Sequence, residues 1–161
     1  LGSIFFTSAA FGQLLESRGS ADRRLVWAAG VQLVGTVLFN VDCVDAMVDT
    51  FDVQQENLLV WAPDIFGSIA FLVASHLAWL AVCNRLWCVE RDDRDWWSGA
   101  LNYVGSIFFM ASGIASYTLP TTGEELNITI VNSGTFLGAV CFLLGAYVLL
   151  PSPALDRMAA R

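Results

Sequence analysis

Five stretches of this chain carry no charged residue, and they constrain the fold more than any other feature of the sequence. They are residues 1–15, 25–41, 65–82, 96–119 and 126–150. A helix needs about 20 apolar residues to cross the ~30 Å hydrocarbon core of a bilayer. Four stretches reach or approach that length with their flanks, and the first is too short. We therefore expect an all-α fold, a polytopic transmembrane helical bundle of about five spans.

The composition agrees with a lipid-embedded chain. Apolar residues make up 56% of it and charged residues 14%, whereas soluble proteins carry about 25% charged residues. We place the spans at 1–15, 25–45, 63–84, 96–119 and 128–150, all in a single transmembrane domain, 1–161. Because the first apolar run has no initiator Met and no basic region before it, we expect a fragment that begins partway along a helix and lacks N-terminal residues.

The arginines predict how the helices are oriented. Connections one and three and the C-terminal tail carry arginines, whereas connections two and four carry none; the arginines are Arg18, Arg23 and Arg24, then Arg85, Arg91 and Arg94, then Arg157 and Arg161. By the positive-inside rule, the basic connections and the C-terminus are cytoplasmic. We expect a multi-pass protein of the cell membrane. The complete absence of Lys indicates a bacterial genome of high GC content.

The net charge of −7 comes with no basic patch, so no nucleic acid is expected as a partner. The second connection carries four carboxylates, Asp45, Asp49, Asp52 and Glu56, and its apolar residues predict a short helix lying on the outer surface of the membrane. Pro63 is expected to begin the third helix, where its missing N–H costs nothing. Asp64 is expected to cap that helix.

The four cysteines indicate no redox or zinc motif. Cys83 and Cys88 are five positions apart, which fits neither a C-x-x-C pair nor a zinc spacing. Cys141 lies in the middle of a helix, and Cys43 near the end of one. Buried free thiols acting as small apolar residues are the favoured interpretation, and a disulfide or a metal site is the alternative.

One pattern recurs in all five apolar segments. Each has a Gly, usually a small residue after it, and a Phe four positions after the Gly, a Gly-Ser-x-x-Phe repeat whose glycines are Gly2, Gly35, Gly67, Gly105 and Gly138. A near-constant period of this length indicates a repeat architecture. Positions 0, +4 and +7 share one helix face, so we expect the five glycines to serve close helix packing. The alternative is that they line a path.

The chain resembles a known family. Besides the Gly-Ser-x-x-Phe units, the resemblance is carried by Trp61-Ala62-Pro63-Asp64, by Trp96-Trp97 and by the run from Asn132 to Ala139. Over nearly its whole length the chain is similar to uncharacterised multispanning membrane proteins of actinobacteria with YrhK-like repeats. The resemblance implies six spans in the full protein, both termini inside, and no activity or catalytic residues that could be carried over.

Few side chains could carry chemistry inside the bilayer, where ionisable groups are functional candidates. Asp42 takes the +7 position that is small and neutral in the other four helices, with Asn40 before it, and His76 lies near the middle of the third helix. Asp42 either reaches interfacial water or caps the end of the bundle, or it forms an outward-facing cation or proton site. His76 is either a neutral hydrogen-bonded residue or has a proton-relay or ligand role. The candidate binding residues are therefore Asp42, His76 and Asn40. Asn102 and Asn132 are expected to bond between helices.

Enzyme motifs are missing from the sequence: it has no Gly-rich phosphate loop, no H-E-x-x-H and no Gly-x-Ser-x-Gly. We predict no catalytic residue, no cofactor and no metal. The leading interpretation is a non-enzymatic structural or accessory protein whose partners are the lipid bilayer and a homo-oligomer or another membrane protein. The alternatives are a small channel or transporter with a polar site near Asp42 and His76, and a membrane sensor with an acidic outer loop.

Overall fold

The computed structural model describes residues 2–150, and the fold it shows there is all-α. Helix α1 covers Gly2–Ser17, α2 Arg23–Asp45, α3 Val53–Glu56, α4 Ala62–Cys83, α5 Arg94–Ala115 and α6 Ile128–Leu149, and a π-helical turn, Asn57–Trp61, joins α3 to α4. Within those residues the only extended pairing is a single bridge between Thr118 and Glu125. The predicted fold class is confirmed.

Three helical segments are long and apolar enough to cross a membrane: Arg23–Asp45, Val53–Cys83 and Ile128–Leu149. Helix α1 has 16 residues, which at 1.5 Å per residue make it about 24 Å long, shorter than the hydrocarbon core. Helix α5 lies where the fourth span is predicted, ends at Ala115 rather than at 119, and is not one of these three segments. These helices support a membrane-embedded protein. The tail with Arg157 and Arg161 lies outside the described residues.

The predicted surface helix in the second connection is not a separate element. Helix α3 continues through the π-turn directly into α4, so that Val53–Cys83 forms one 31-residue helical segment. Pro63 has no N–H to give to an i−4 carbonyl, and the amide of Ala62 instead bonds to the carbonyl of Asn57, five residues back. The start of the segment is capped by Asp52, which forms a reciprocal capping box with Gln55.

The five long helices contact one another in chain order, α1 with α2, α2 with α4, α4 with α5, and α5 with α6. Consecutive neighbours run antiparallel, and α1 and α6 are the two ends of the row. Their shared core is made of five phenylalanines, one from each helix, and each is the Phe that follows the repeated Gly by four positions: Phe6, Phe39, Phe71, Phe109 and Phe142. The row is therefore curled around this aromatic centre.

At one end of the bundle, which we call the acidic end, the α5–α6 connection packs on α3 and the π-turn. The side chain of Asn57 donates to the carbonyl of Thr118 at 2.7 Å and accepts from its amide at 2.9 Å, as a neighbouring strand would. Trp61 donates its indole N–H to the carbonyl of Gly113 and packs edge-on against Tyr117. The acidic second connection and the α5–α6 connection thus form one cap.

At the other end, which we call the basic end, two arginines hold the C-termini of the neighbouring helices. Arg24 in α2 donates to the carbonyl of Leu80 at 2.8 Å and to the side chain of Asn84. Arg94 in α5 donates to the carbonyl of Val148 at 2.8 Å through Nε. The final carbonyls of a helix lack partners within it, so α2 closes the end of α4 and α5 closes the end of α6 in the same way.

The favoured interpretation of Cys83 and Cys88 is wrong, because the two residues form a disulfide with Cα atoms 5.5 Å apart. Helix α4 ends at Asn84 in the left-handed conformation, and the chain turns back so that Cys88 meets Cys83 beside Trp79 and Trp96. Cys43 and Cys141 are free. The disulfide lies at the basic end, which the arginines predict to be cytoplasmic, where disulfides are rare. The arginines and the disulfide therefore give opposite indications of the side of the membrane that the basic end faces.

Candidate functional site

Asn40 links two helices rather than facing an open site. Its side-chain N–H₂ donates to Thr7 Oγ1 in α1 and, at 2.9 Å, to the carbonyl of Thr36 in α2. Thr7 in turn donates to the carbonyl of Ser3 at 3.1 Å. A carboxamide in a membrane helix is stabilised when a neighbouring helix satisfies its donors. The predicted binding residue Asn40 therefore joins α1 to α2.

Asp42 lies half-buried near the acidic end of α2, and its carboxylate makes no hydrogen bond to any described residue. The charges that act on it are those of Asp64 and Asp45. The sequence suggested that Asp64 caps α4. It does not, because the helical segment begins upstream at α3. Instead, Asp64 accepts a hydrogen bond from Ser116 Oγ in the α5–α6 connection at 3.0 Å.

Glu125 extends this set of carboxylates at the acidic end. One of its carboxylate oxygens, Oε2, is buried without a hydrogen-bond partner in the described structure. Burial raises the pKa of the Glu125 carboxyl above its ordinary value, and the negative charges of Glu56 and Asp64 raise it further. Within residues 2–150, no group of three or more His, Cys, Asp or Glu residues is arranged to hold a metal ion.

His76 lies in the middle of α4, half-buried, and packs against Tyr103 of α5 with ring centroids 5.9 Å apart. Its imidazole makes no hydrogen bond to another described residue. A cavity of about 470 Å³ nearby is lined by Trp79 and Tyr103 but not by His76. The structure therefore does not bring His76 together with Asp42 and Asn40 into one site.

Four of the five repeated glycines lie at helix contacts, in two reciprocal pairs. A Cβ on Gly35 would lie 3.1 Å from the carbonyl oxygen of Gly67, and a Cβ on Gly67 would lie 3.3 Å from that of Gly35. Gly105 and Gly138 face each other likewise, at 3.1 Å in both directions. The reciprocal contacts make α2–α4 one tight pair and α5–α6 another.

Serines join these two pairs. Ser68, which follows Gly67, donates to the carbonyl of Phe109 at 3.1 Å, and Ser106, which follows Gly105, donates to the carbonyl of Phe71 at 3.1 Å. Ser75 and Ser106 bond to each other at 2.8 Å. In lipid, such small polar residues let two backbones approach while their hydroxyls stay satisfied.

Gly2 departs from this scheme, and the packing role predicted for it is not seen. Within the described residues, a Cβ on Gly2 would meet no atom closer than 4 Å. Beside it lies a cavity of about 660 Å³, open along the gap between α1 and α6. We call this cavity the α1–α6 groove, and its lining includes Gly2, Phe6 and Ala9 of α1 and Phe142, Ala146 and Leu149 of α6.

Three carboxamides enter the groove on the basic side of the phenylalanine core. They are Gln13 of α1, Gln32 of α2 and Asn102 of α5, and none forms a side-chain hydrogen bond with another described residue. The bonds predicted between helices for Asn102 are thus not made, and Asn132 is exposed. The Asn102 Oδ1 atom lies 2.7 Å from where a Cβ on Gly145 would be. Neither cavity is lined by Asp42, Asn40 or His76.

Sequence reasoning missed Gln13 and Gln32, although a signal for Gln32 was present. Gln32 precedes Gly35 by three positions, as Asn102 precedes Gly105. Comparing α2 with α5 position by position would have placed both carboxamides on the same face at the same level. Gln13 has no such counterpart, because the corresponding positions of α4 and α6 are Ala78 and Leu149.

Comparisons with known proteins add no identity: no family model, no curated protein and no solved structure matches the chain. The class of protein rests on its own helices, three of which can span a membrane. The resemblance to the actinobacterial family with YrhK-like repeats stays a prediction.

Proposed function

We propose that this is a non-enzymatic accessory protein of the cell membrane, which acts by holding another membrane-spanning polypeptide. The observation that carries the proposal is the contrast among the repeated glycines. Four are covered by a neighbouring helix, and Gly2, beside the α1–α6 groove, is not. Without a hydrophobic driving force between helices in lipid, such small-residue faces are the surfaces on which membrane helices associate.

The lining of the groove supports a protein partner. Its wall contains small and aromatic residues near the phenylalanine core and three carboxamides nearer the basic end. Acyl chains can cover the apolar part, but they offer nothing to the carboxamides, whose polar groups are costly to leave unpaired in hydrocarbon. A polypeptide partner supplies both kinds of contact.

Photo-crosslinking tests the proposal. A photoreactive phenylalanine analogue replaces Ala9 or Ala146, both in the groove, or Phe66, which points outward with 61% of its surface exposed. The expected result is a discrete polypeptide adduct in native membranes from the two groove positions and none from position 66. If only lipid adducts form at all three positions, the proposal fails; an adduct at twice the monomer mass identifies self-association.

A channel or transporter through Asp42 and His76 is the rival function, and the geometry favours it less. Asn40 is engaged with Thr7, His76 packs on Tyr103, and these two residues and Asp42 are absent from the lining of both cavities. The sensor hypothesis also loses support, because Asp52 of the acidic loop serves as a helix cap. No feature of the described residues specifically favours either the transporter or the sensor.

We further propose that the basic end faces the cytoplasm, with the C-terminus, as the arginines indicate. Fusions to the C-terminus check this. A green fluorescent protein fusion is expected to be fluorescent and an alkaline phosphatase fusion inactive. The opposite pair of results would reverse the orientation and would agree with the Cys83–Cys88 disulfide, which oxidising compartments favour.

A further inference from the structure

The two tight helix pairs are built alike, and α1 is built like the second member of such a pair. In α2, Arg24, Gln32, Gly35 and Phe39 have the same spacing as Arg94, Asn102, Gly105 and Phe109 in α5. In each of these helices the Gly packs against the Gly of the next long helix. The Arg donates hydrogen bonds to backbone carbonyls at the C-terminus of that next helix. In α1, Gly2 and Phe6 have the spacing of Gly67 and Phe71 in α4 and of Gly138 and Phe142 in α6.

The position where α1 lacks a partner coincides with the groove. Around the phenylalanine core the helices alternate in direction, and α1 and α6 run parallel to each other with the groove between them. One more helix, antiparallel to both, would continue that alternation. Such a helix would meet Gly2 as α2 meets Gly67 and α5 meets Gly138, so the interface inside each pair would continue at α1.

The level of the carboxamides sets a second requirement on the occupant. Asn102 of α5 lies against Gly145 of α6, the residue seven positions after Gly138. The equivalent residue of α1 is Ala9, which lines the groove and is likewise small. A helix of the α2 and α5 kind would bring its own Asn or Gln to Ala9, level with Gln32 and Asn102.

We propose that the α1–α6 groove binds one membrane-spanning helix, antiparallel to α1, of the kind represented by α2 and α5. That helix carries a basic residue at its start, an Asn or Gln eight residues later, then Gly after three residues and Phe after four more. The inference rests on the proposed function, since it names the polypeptide that the groove holds. Its carboxamide completes a cluster with Gln13, Gln32 and Asn102.

The probe is a synthetic peptide with the sequence of α5, Arg94–Ala115, added to the whole protein in lipid nanodiscs. The protein carries a photoreactive residue at position 9, and mass spectrometry locates the crosslink on the peptide. We expect attachment within one turn of the peptide's Asn102, because Asn102 meets Gly145 in the α5–α6 pair. Attachment near either end of the peptide would contradict the antiparallel register.

Matched glycine variants separate specific docking from nonspecific adhesion. Gly2→Leu puts a branched side chain into the groove, and Gly12→Leu puts the same side chain on α1 at a position outside it; neither glycine has a neighbour within 4 Å. Gly2→Leu is expected to lower the adduct yield about tenfold, as overpacking of one helix contact would. Gly12→Leu is expected to leave the yield unchanged.

Each other outcome overturns the inference. Equal yields from the two variants, adducts only with lipid, or adducts only with a second copy of the chain at residues outside its α2 and α5 would show that the groove does not take such a helix. If native membranes give a polypeptide adduct from position 9 but the α5 peptide gives none, the inference fails and the proposed function stands. If neither gives an adduct, both fail.

Discussion

The α5–α6 pair and the edge of α1 carry the same short motif, yet the motif packs in one and lies open in the other. Gly138 faces Gly105 and the ring of Phe109, both within about 3 Å of where a Cβ would lie, whereas Gly2 has no neighbour within 4 Å. The Phe of each motif nevertheless reaches the common core, since Phe6 packs against Phe71 and Phe142. The contrast shows that the Phe of the motif packs into the centre of the bundle in both cases, whereas the Gly is packed only where a neighbouring helix lies against it.

The largest expected effect comes from placing a side chain at the two contrasting glycines. Gly105→Leu should lower the free energy of unfolding by about 3 kcal/mol, because the new atoms would meet the backbone of Gly138 and the ring of Phe142. Gly2→Leu should change it by less than about 0.5 kcal/mol. Thermal unfolding in detergent measures both, and the difference should appear as a fall of about 6–12 °C for Gly105→Leu alone.

Equal melting temperatures for the two variants would break the comparison, since they would mean that the α5–α6 contact is not tight in the folded protein. Gly12→Leu serves as a control for the substitution itself, because Gly12 also has open space around it. A loss in that variant would show that helix α1 is sensitive to the exchange for reasons unrelated to packing.

The sequence was sufficient to predict the all-α class of fold and the helices that are long and apolar enough to cross a membrane. Runs without charge mark segments compatible with lipid, so both bounds of α2 and α6 and the end of α4 could be predicted within two residues. The start of the third span was harder. Pro63 is a sound signal for a first helical turn, but a π-turn lets the helix pass through it, and nothing local in the sequence reports the amide of Ala62 reaching Asn57.

The candidate site could be predicted only in part, because its polar residues take their roles from neighbouring helices. Asn40 and Asp42 were selected by their depth in one helix, and the partner of Asn40 turned out to be Thr7, far away in the chain. The groove lies where no helix of residues 2–150 covers Gly2, and no single segment of the sequence predicts such a gap. The disulfide depends on the tight turn at Asn84, where the left-handed conformation turns the chain back.

The next effect concerns the arginines that close the pairs at the basic end. Arg24→Gln should lower the free energy of unfolding measurably, though less than Gly105→Leu, because it removes charge-assisted bonds to the carbonyl of Leu80 and to Asn84 and the surface ion pair with Asp22. Arg23→Gln is the matched control, since Arg23 is exposed and holds no C-terminus. Chemical unfolding in mixed micelles compares the two, and equal losses would remove this role from Arg24.

A smaller effect is expected where the two pairs meet. Ser106→Ala removes hydrogen bonds to Ser75 and to the carbonyl of Phe71 at a position with no exposed surface. Hydrogen bonds between membrane helices contribute about 0.6 kcal/mol on average, so the loss should be about 1 kcal/mol. Ser133→Ala, in which an exposed hydroxyl bonds only within its own helix, should unfold like the parent protein; if both variants unfold alike, the serines do not join the pairs.

The smallest effect is expected at the acidic end, where the Oε2 atom of Glu125 is buried without a hydrogen-bond partner in the described structure. Because burial, with Glu56 and Asp64 nearby, raises the pKa of Glu125 in the folded protein, the folded state holds that proton more tightly than the unfolded state. The stability this provides is present below the ordinary pKa of Glu and is lost as the pH rises through the raised value. Glu125→Gln should therefore stabilise the protein by about 0.5 kcal/mol at pH 7, a small gain because the rest of the side chain is solvated, and should give no gain near pH 4. The exposed neighbour provides the control, and a Glu124→Gln variant with the same pH-dependent gain would mean that the effect reports net charge rather than the buried oxygen of Glu125.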